Sequence, residues 1–174
     1  SEGILVKEKF DYQELVISEN RPMKWREEEV SDVIFCEGAA ALKNPWFSWL
    51  PMSPIKGQIL TVRPRTIVGQ EFDAICEGRY TNAIQKNCWI VPDMNNHEHF
   101  KIGATYERSF KTIDPDREAY FSLMSKVDDI SPNWKEHQVI DQVARLRPCS
   151  EDKKPLIGKH PVYKNFHCFI LNRL

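Results

Sequence analysis

Cys88-Trp89-Ile90-Val91, the polar stretch Asp93-Met94-Asn95-Asn96-His97, then Phe100-Lys101-Ile102-Gly103-Ala104: these residues decide the reading of the fold. Two β-rich apolar runs around turn-forming residues predict an antiparallel hairpin with a longer loop. Downstream, Asp114-Pro115 marks a helix start, with proline at the first helical position and Asp116 in the first turn. Tyr120, Phe121, Met124 and Val127 recur at helical spacing, so the helix runs to about Asp128, and Ser131-Pro132 stops it. Further strands are expected at Val139 to Leu146, ended by Pro148, and at Phe166 to Leu171.

Upstream, Gln58-Ile59-Leu60-Thr61-Val62 is a strand ending at Arg63-Pro64, and Asp73 to Cys76 reads as another. Val33-Ile34-Phe35-Cys36 is a continuous apolar run that stops at Gly38, as a strand buried on both faces does. Ile4-Leu5-Val6 and Tyr12 to Ile17 are short strands, with a turn at Glu19-Asn20-Arg21-Pro22. Residues 44–54 carry Pro45, Pro51 and Pro54 with Trp46 and Trp49, which suits an ordered irregular loop. The predicted class is α+β: a mostly antiparallel, mixed sheet with one or two helices packed on one face.

The chain has 174 residues, 41% of them hydrophobic and 28% charged. That is one domain's worth, able to bury roughly two-thirds of its unfolded surface, and it excludes wholesale disorder. A net charge of −1 argues against a general nucleic-acid binder. No run of 18 apolar residues supplies a membrane span, and the first residues lack the basic and small-residue marks of a signal peptide. Five cysteines at irregular spacing, without C-x-x-C, point to a reduced, cytoplasmic protein.

No two of the seven glycines lie closer than nine residues. A phosphate cradle needs clustered glycines whose bare N–H groups approach the anion, so the dinucleotide fingerprint and the P-loop are both absent. G-x-S-x-G is absent too. His97 and His99 read as a solvated hairpin tip rather than a metal pair, Glu27-Glu28-Glu29 as a charged surface loop, and Asp128-Asp129 as a helix end.

Five stretches in order resemble the D-amino-acid-oxidase-like family of FAD-dependent amine oxidoreductases, of the glycine oxidase and sarcosine oxidase type. Val33 to Ala39 is similar to a late strand of the family's FAD domain. Leu50-Pro51 with Pro54-Ile55-Lys56-Gly57-Gln58 resembles its L-P…P-x-[RK]-G-Q segment. Trp89-Ile90-Val91-Pro92 with Ile102-Gly103-Ala104-Thr105 resembles its Y-I-V-P…[IV]-G-A-T hairpin. Leu146-Arg147-Pro148 resembles G-[LF]-R-P, and Asp152 through His160-Pro161 resembles D-x-x-P-x-I-G-x-x-P. Together they span roughly residues 33–161.

The resemblance implies a middle piece that begins after the family's first glycine-rich unit and stops near its second. Residues 1–40 would be remnant strands of the FAD domain, 41–160 the substrate-binding domain, and 161–174 the truncated return. It implies oxidation of an amino acid or N-methyl amino acid by hydride transfer to FAD, the small-molecule amine being the partner. The cofactor carries the hard step, so no catalytic side chain is assigned. Arg147 matches the arginine that clamps the substrate carboxylate, a task suited to a planar, always-charged fork. Trp89 stands where the family has a tyrosine near the substrate. Gly38, Ala39, Lys56 and Gly57 match positions near the flavin. Arg145 replaces a glycine common in the family, which changes the pocket or points outward. With both phosphate-binding elements missing, these residues alone are expected to be inactive and not to retain FAD. The competing reading is a non-catalytic binding or scaffold module that keeps the fold.

Overall fold

The structure is a computed structural model, and it describes residues 5–18, 23–64, 83–130 and 137–171. The expected turn at 19–22, the strand at 73–76 and the helix stop at Ser131-Pro132 lie outside these residues. The chain divides into two compact units, residues 54–147 and residues 1–53 with 148–174.

The hairpin forms the centre of the first unit. Strands β7 (Trp89–Asp93) and β8 (Asn96–Gly103) pair antiparallel, with Asp93 opposite Asn96. The connection is therefore the two residues Met94 and Asn95, tighter than the loop expected from sequence. The Asp93 side chain accepts the Asn95 N–H at 3.1 Å, an Asx turn that closes the corner early. His97 and His99 consequently fall inside β8. The five-stranded sheet runs β6-β7-β8-β5-β9, with β5 (Ile55–Pro64) between β8 and β9 (His137–Arg147), and β6 (Ile84–Gln85) at the edge. All its pairings are antiparallel.

Alternation along the strands separates two faces. Leu60, Ile90, Phe100 and Ile102 point to one, where they bury against Leu123, Met124 and Val127 of helix α1 (Arg117–Ile130). This is the helix read from sequence, with two corrections. It begins at Arg117, not Pro115, because the Asp116 carboxylate accepts the Ala119 N–H at 2.9 Å and so caps it. Phe121 is 64% exposed; Leu123, at 0%, is the core residue on this stripe. Asp128 and Asp129 do lie near the helix end.

The second unit holds two three-stranded sheets. One is antiparallel: β1 (Leu15–Val16), β2 (Met23–Trp25), β3 (Glu28–Val30). The other runs β10 (Leu156–Lys159), β11 (Phe166–Ile170), β4 (Val33–Phe35), with β4 parallel to β11. Leu5-Val6 is not a strand, and Tyr12–Glu14 is a 3-10 turn capped by Asp11, whose carboxylate accepts the Gln13 N–H. Glu28 and Glu29 belong to β3 rather than to a loop. The expected burial of β4 on both faces is also corrected. Phe35 is buried, whereas Ile34 is 64% exposed, because only one face of this sheet is packed within the described residues.

That packed face carries an aromatic core of Phe35, Phe47 and Phe166, with Tyr12, Trp25 and Trp46 around it. The proline-rich loop is ordered as expected. Buried Asn44 accepts the Trp46 and Phe47 N–H groups and donates to Glu37 at 2.7 Å. Tyr12 donates to the same carboxylate at 2.5 Å, and burial first, then this bond, raises its phenol to about 12. Among the described residues no helix is long and apolar enough to cross a membrane.

Candidate functional site: a sheet face with an arginine fork and an indole

The face of the five-stranded sheet away from α1 carries Trp89, Gly103, Ile59 and Val143 in one cross-strand row. The next rows on the β5–β9 pair are Gly57 opposite Arg145, and Ile55 opposite Arg147. Two glycines shape this surface. The space a Cβ would take at Gly57 is filled by the Arg147 guanidinium, whose Cζ lies 2.7 Å from that position. The space at Gly103 is filled by the Trp89 indole, with Cζ2 at 2.4 Å. Gly57 and Gly103 are diagonal neighbours across β5 and β8, a separation of about 7–8 Å in an antiparallel pair. Arg147 and Trp89 therefore lie flat on one face, within the span of a small ligand.

Arg147 is half-buried. One of its N–H groups donates to the Thr105 carbonyl at 3.0 Å, and its Cζ sits 6.0 Å from the centre of the Tyr106 ring. No carboxylate lies within ion-pair distance of it among the described residues. Among the described residues the fork is thus held by a neutral acceptor and an aromatic face.

Lys56 goes elsewhere. Its neighbour Gly57 faces Arg147, so alternation turns Lys56 to the α1 side, where it is 3% exposed. Its ammonium donates to Asp116 at 2.7 Å and lies 3.6 Å from Glu107. The hydrogen bond to Asp116 holds it above its ordinary value. The same bond, with that from Ala119 N–H, lowers Asp116 to about 2. Gln58 completes this knot: its Nε2 donates to Glu107 and Asp116, and its Oε1 accepts the Asp116 N–H and Gln142 Nε2. The K-G-Q triplet thus docks the helix start on one side and seats the arginine on the other. Sequence reasoning missed Gln58, Glu107, Asp116 and Gln142 as one network; only the Asp116 cap left a signal in the local sequence.

Gly38 and Ala39 belong to the other unit. Gly38 has φ +57°, a conformation that favours glycine, and opens a 3-10 helix, Gly38–Lys43. Arg145 is exposed and donates to the Ala144 carbonyl at 2.8 Å.

Among the described residues, one face of this antiparallel sheet is shielded by a helix, and the other carries an arginine fork and an indole, each lying on a glycine. The family model described as FAD dependent oxidoreductase (DAO) matches residues 12–170, and the chain belongs to that family. Its fold is similar to that of iminodiacetate oxidase from Chelativorans sp. BNC1 (TM-score 0.67, 16% identity), covering 90% of this chain and 42% of that one. Glycine oxidase from Geobacillus kaustophilus is similar at TM-score 0.63 and 21% identity, over 82% of this chain and 36% of that one. L-proline dehydrogenase from P. horikoshii is similar at TM-score 0.64 and 14% identity, over 82% and 37%. The chain thus spans between a third and a half of the length of these proteins.

The residues present do not fit the pyrophosphate of FAD. The bare space at Gly57 and Gly103 is already taken by Arg147 and Trp89, and no glycines cluster into a pyrophosphate cradle.

Proposed function

We propose that the protein oxidises the C–N bond of an amino acid or N-methyl amino acid with FAD as hydride acceptor, and that this chain supplies the substrate side of the site. The observation that carries the reading is the Arg147 guanidinium laid over Gly57, without a carboxylate partner among the described residues and on the same face as Trp89. Arg147 takes the substrate carboxylate in two parallel charge-assisted bonds. Thr105, through its carbonyl, fixes the fork. Trp89 walls the substrate and excludes water from it. Held at one end, the substrate keeps the carbon that bears its nitrogen in a single position, which is a proximity effect. Bound FAD would accept the hydride from that carbon, and water would hydrolyse the imine so formed.

In this reading residues 41–160 serve the substrate, while residues 1–40 and 161–174 belong with the flavin, with Gly38 and Ala39 on the flavin side. Lys56 acts through the helix start rather than on the cofactor. Four described cysteines are unpaired, which supports a reducing, cytoplasmic setting. The test is steady-state kinetics of the flavin-loaded protein on sarcosine, glycine and D-alanine. Arg147→Ala should raise KM at least 100-fold on whichever is used, with an unchanged melting temperature and partial rescue in Arg147→Lys. An unchanged KM contradicts the reading.

A further inference from the structure

The row beside the clamp holds a second guanidinium. Arg145 stands directly opposite Gly57, and the Arg147 fork lies on Gly57. Two positions apart on β9, the two arginines project from the same face, about 6.6 Å apart along the strand. Like charges placed this close on a sheet oppose each other. Structural arginines are normally relieved by a carboxylate, and neither has one within ion-pair distance among the described residues.

Among the described acids of this unit, those nearest in the sheet are paired or distant. Asp93 is paired with Lys101 at 3.3 Å. Glu107 and Asp116 face Lys56 on the helix side. Asp141 lies four residues down β9, about 13 Å along the strand. Arg108 adds a third cation, 5.8 Å from the centre of the Tyr106 ring that also neighbours Arg147. Among the described residues, the one hydrogen bond of Arg145 is to its own strand's Ala144 carbonyl, which leaves most of its donors without a partner there.

We propose that this face is built for a dianionic substrate, an amine carrying two carboxylates, with Arg147 taking the carboxylate next to the reacting carbon and Arg145 the second. This rests on the carboxylate-clamp reading of Arg147. A substrate with one carboxylate leaves the Arg145 charge uncompensated, whereas a second carboxylate bridges the two forks and relieves their repulsion. Arg145 is thereby the specificity-determining residue.

The experiment compares iminodiacetate with sarcosine, which differ by a carboxylate in place of a hydrogen on the N-methyl group. With the flavin-loaded protein, kcat/KM for iminodiacetate should exceed that for sarcosine at least tenfold, and Arg145→Gln should cut this ratio at least tenfold. Titration calorimetry with malonate and acetate gives a readout independent of turnover. Malonate should bind at least tenfold tighter, with the advantage lost in Arg145→Gln and weakened by added salt. A ratio unchanged in Arg145→Gln, a preference for sarcosine, or equal binding of malonate and acetate overturns the proposal. The two readings fail separately. If Arg147→Gln abolishes use of both substrates while Arg145→Gln leaves their ratio intact, only the dianion proposal falls; if Arg147→Gln changes neither, the clamp itself falls.

Discussion

Gly57 and Gly103 seat the Arg147 fork and the Trp89 indole at the residue scale, and they make opposite predictions. In Gly57→Ala the new methyl meets the far end of a flexible side chain, since the Arg147 fork occupies that space. The fork swings aside, the strand tolerates the alanine, and carboxylate binding weakens by about tenfold, the loss of a charge-assisted bond. Calorimetric titration with acetate should show this with little change in melting temperature. In Gly103→Ala the methyl meets the rigid Trp89 indole. Overpacking of this kind costs about 1–3 kcal/mol, and urea denaturation should show the loss as a lowered midpoint; an unchanged midpoint would mean that the indole does not rest on Gly103. Neither role was visible in the local sequence. The expected strand began at Gln58, yet Gly57 sits inside β5, and the group that approaches it comes from β9, far along the chain. Arg147 was legible only through the motif around it; that no described acid pairs with it required the fold.

At the scale of elements, the helix and its docking knot set the stability of the sheet. Leu123 is fully buried between α1 and the sheet, so Leu123→Ala should cost about 2–5 kcal/mol by chemical denaturation. Asp116 both caps α1 and holds the Lys56 ammonium. Asp116→Ala removes the cap and leaves Glu107, at 3.6 Å, as the remaining partner of Lys56. A loss of roughly 2–3 kcal/mol is expected, a cap plus part of a buried ion pair. The pH dependence follows from the sign of each shift. Asp116 is lowered from 3.8 to about 2 in the folded chain, so its contribution is present above about pH 4 and is lost as pH falls toward 2. Lys56 is raised above 10.5, so its contribution is full below that value and fades as pH climbs through the folded one. Equilibrium unfolding measured from pH 2 to 5 should therefore show an acid limb that is flatter in Asp116→Asn. The helix itself was legible from its apolar spacing. Its first residue was not, because Pro115 offers a permitted first position while the carboxylate of Asp116 makes the actual cap. The hairpin was legible as well, its turn less so, since the Asp93 bond that tightens it competes with the longer loop its polar residues suggest.

At the scale of the molecule, the antiparallel sheet with one helical layer was readable from periodicity, and the family from five spaced motifs rather than from any one of them. A division was expected near residues 40 and 160, and the compact units meet at 53/54 and 147/148, the latter inside the L-R-P motif. Chain continuity there hides a change of core. The glycine spacing carries a further prediction. These 174 residues, purified and incubated with FAD, should lose it on gel filtration, because nothing in the sequence cradles a pyrophosphate; retention of one flavin per chain would show a phosphate site of another kind.

The most direct measurement is a crystal structure of the flavin-loaded protein with methoxyacetate, a carboxylate that mimics sarcosine and lacks its nitrogen. The account predicts the carboxylate in paired contact with the Arg147 fork above Gly57, at about 2.8 Å, with the Trp89 indole against the ligand. A carboxylate bound away from this face, with the Arg147 donors still open, would contradict it.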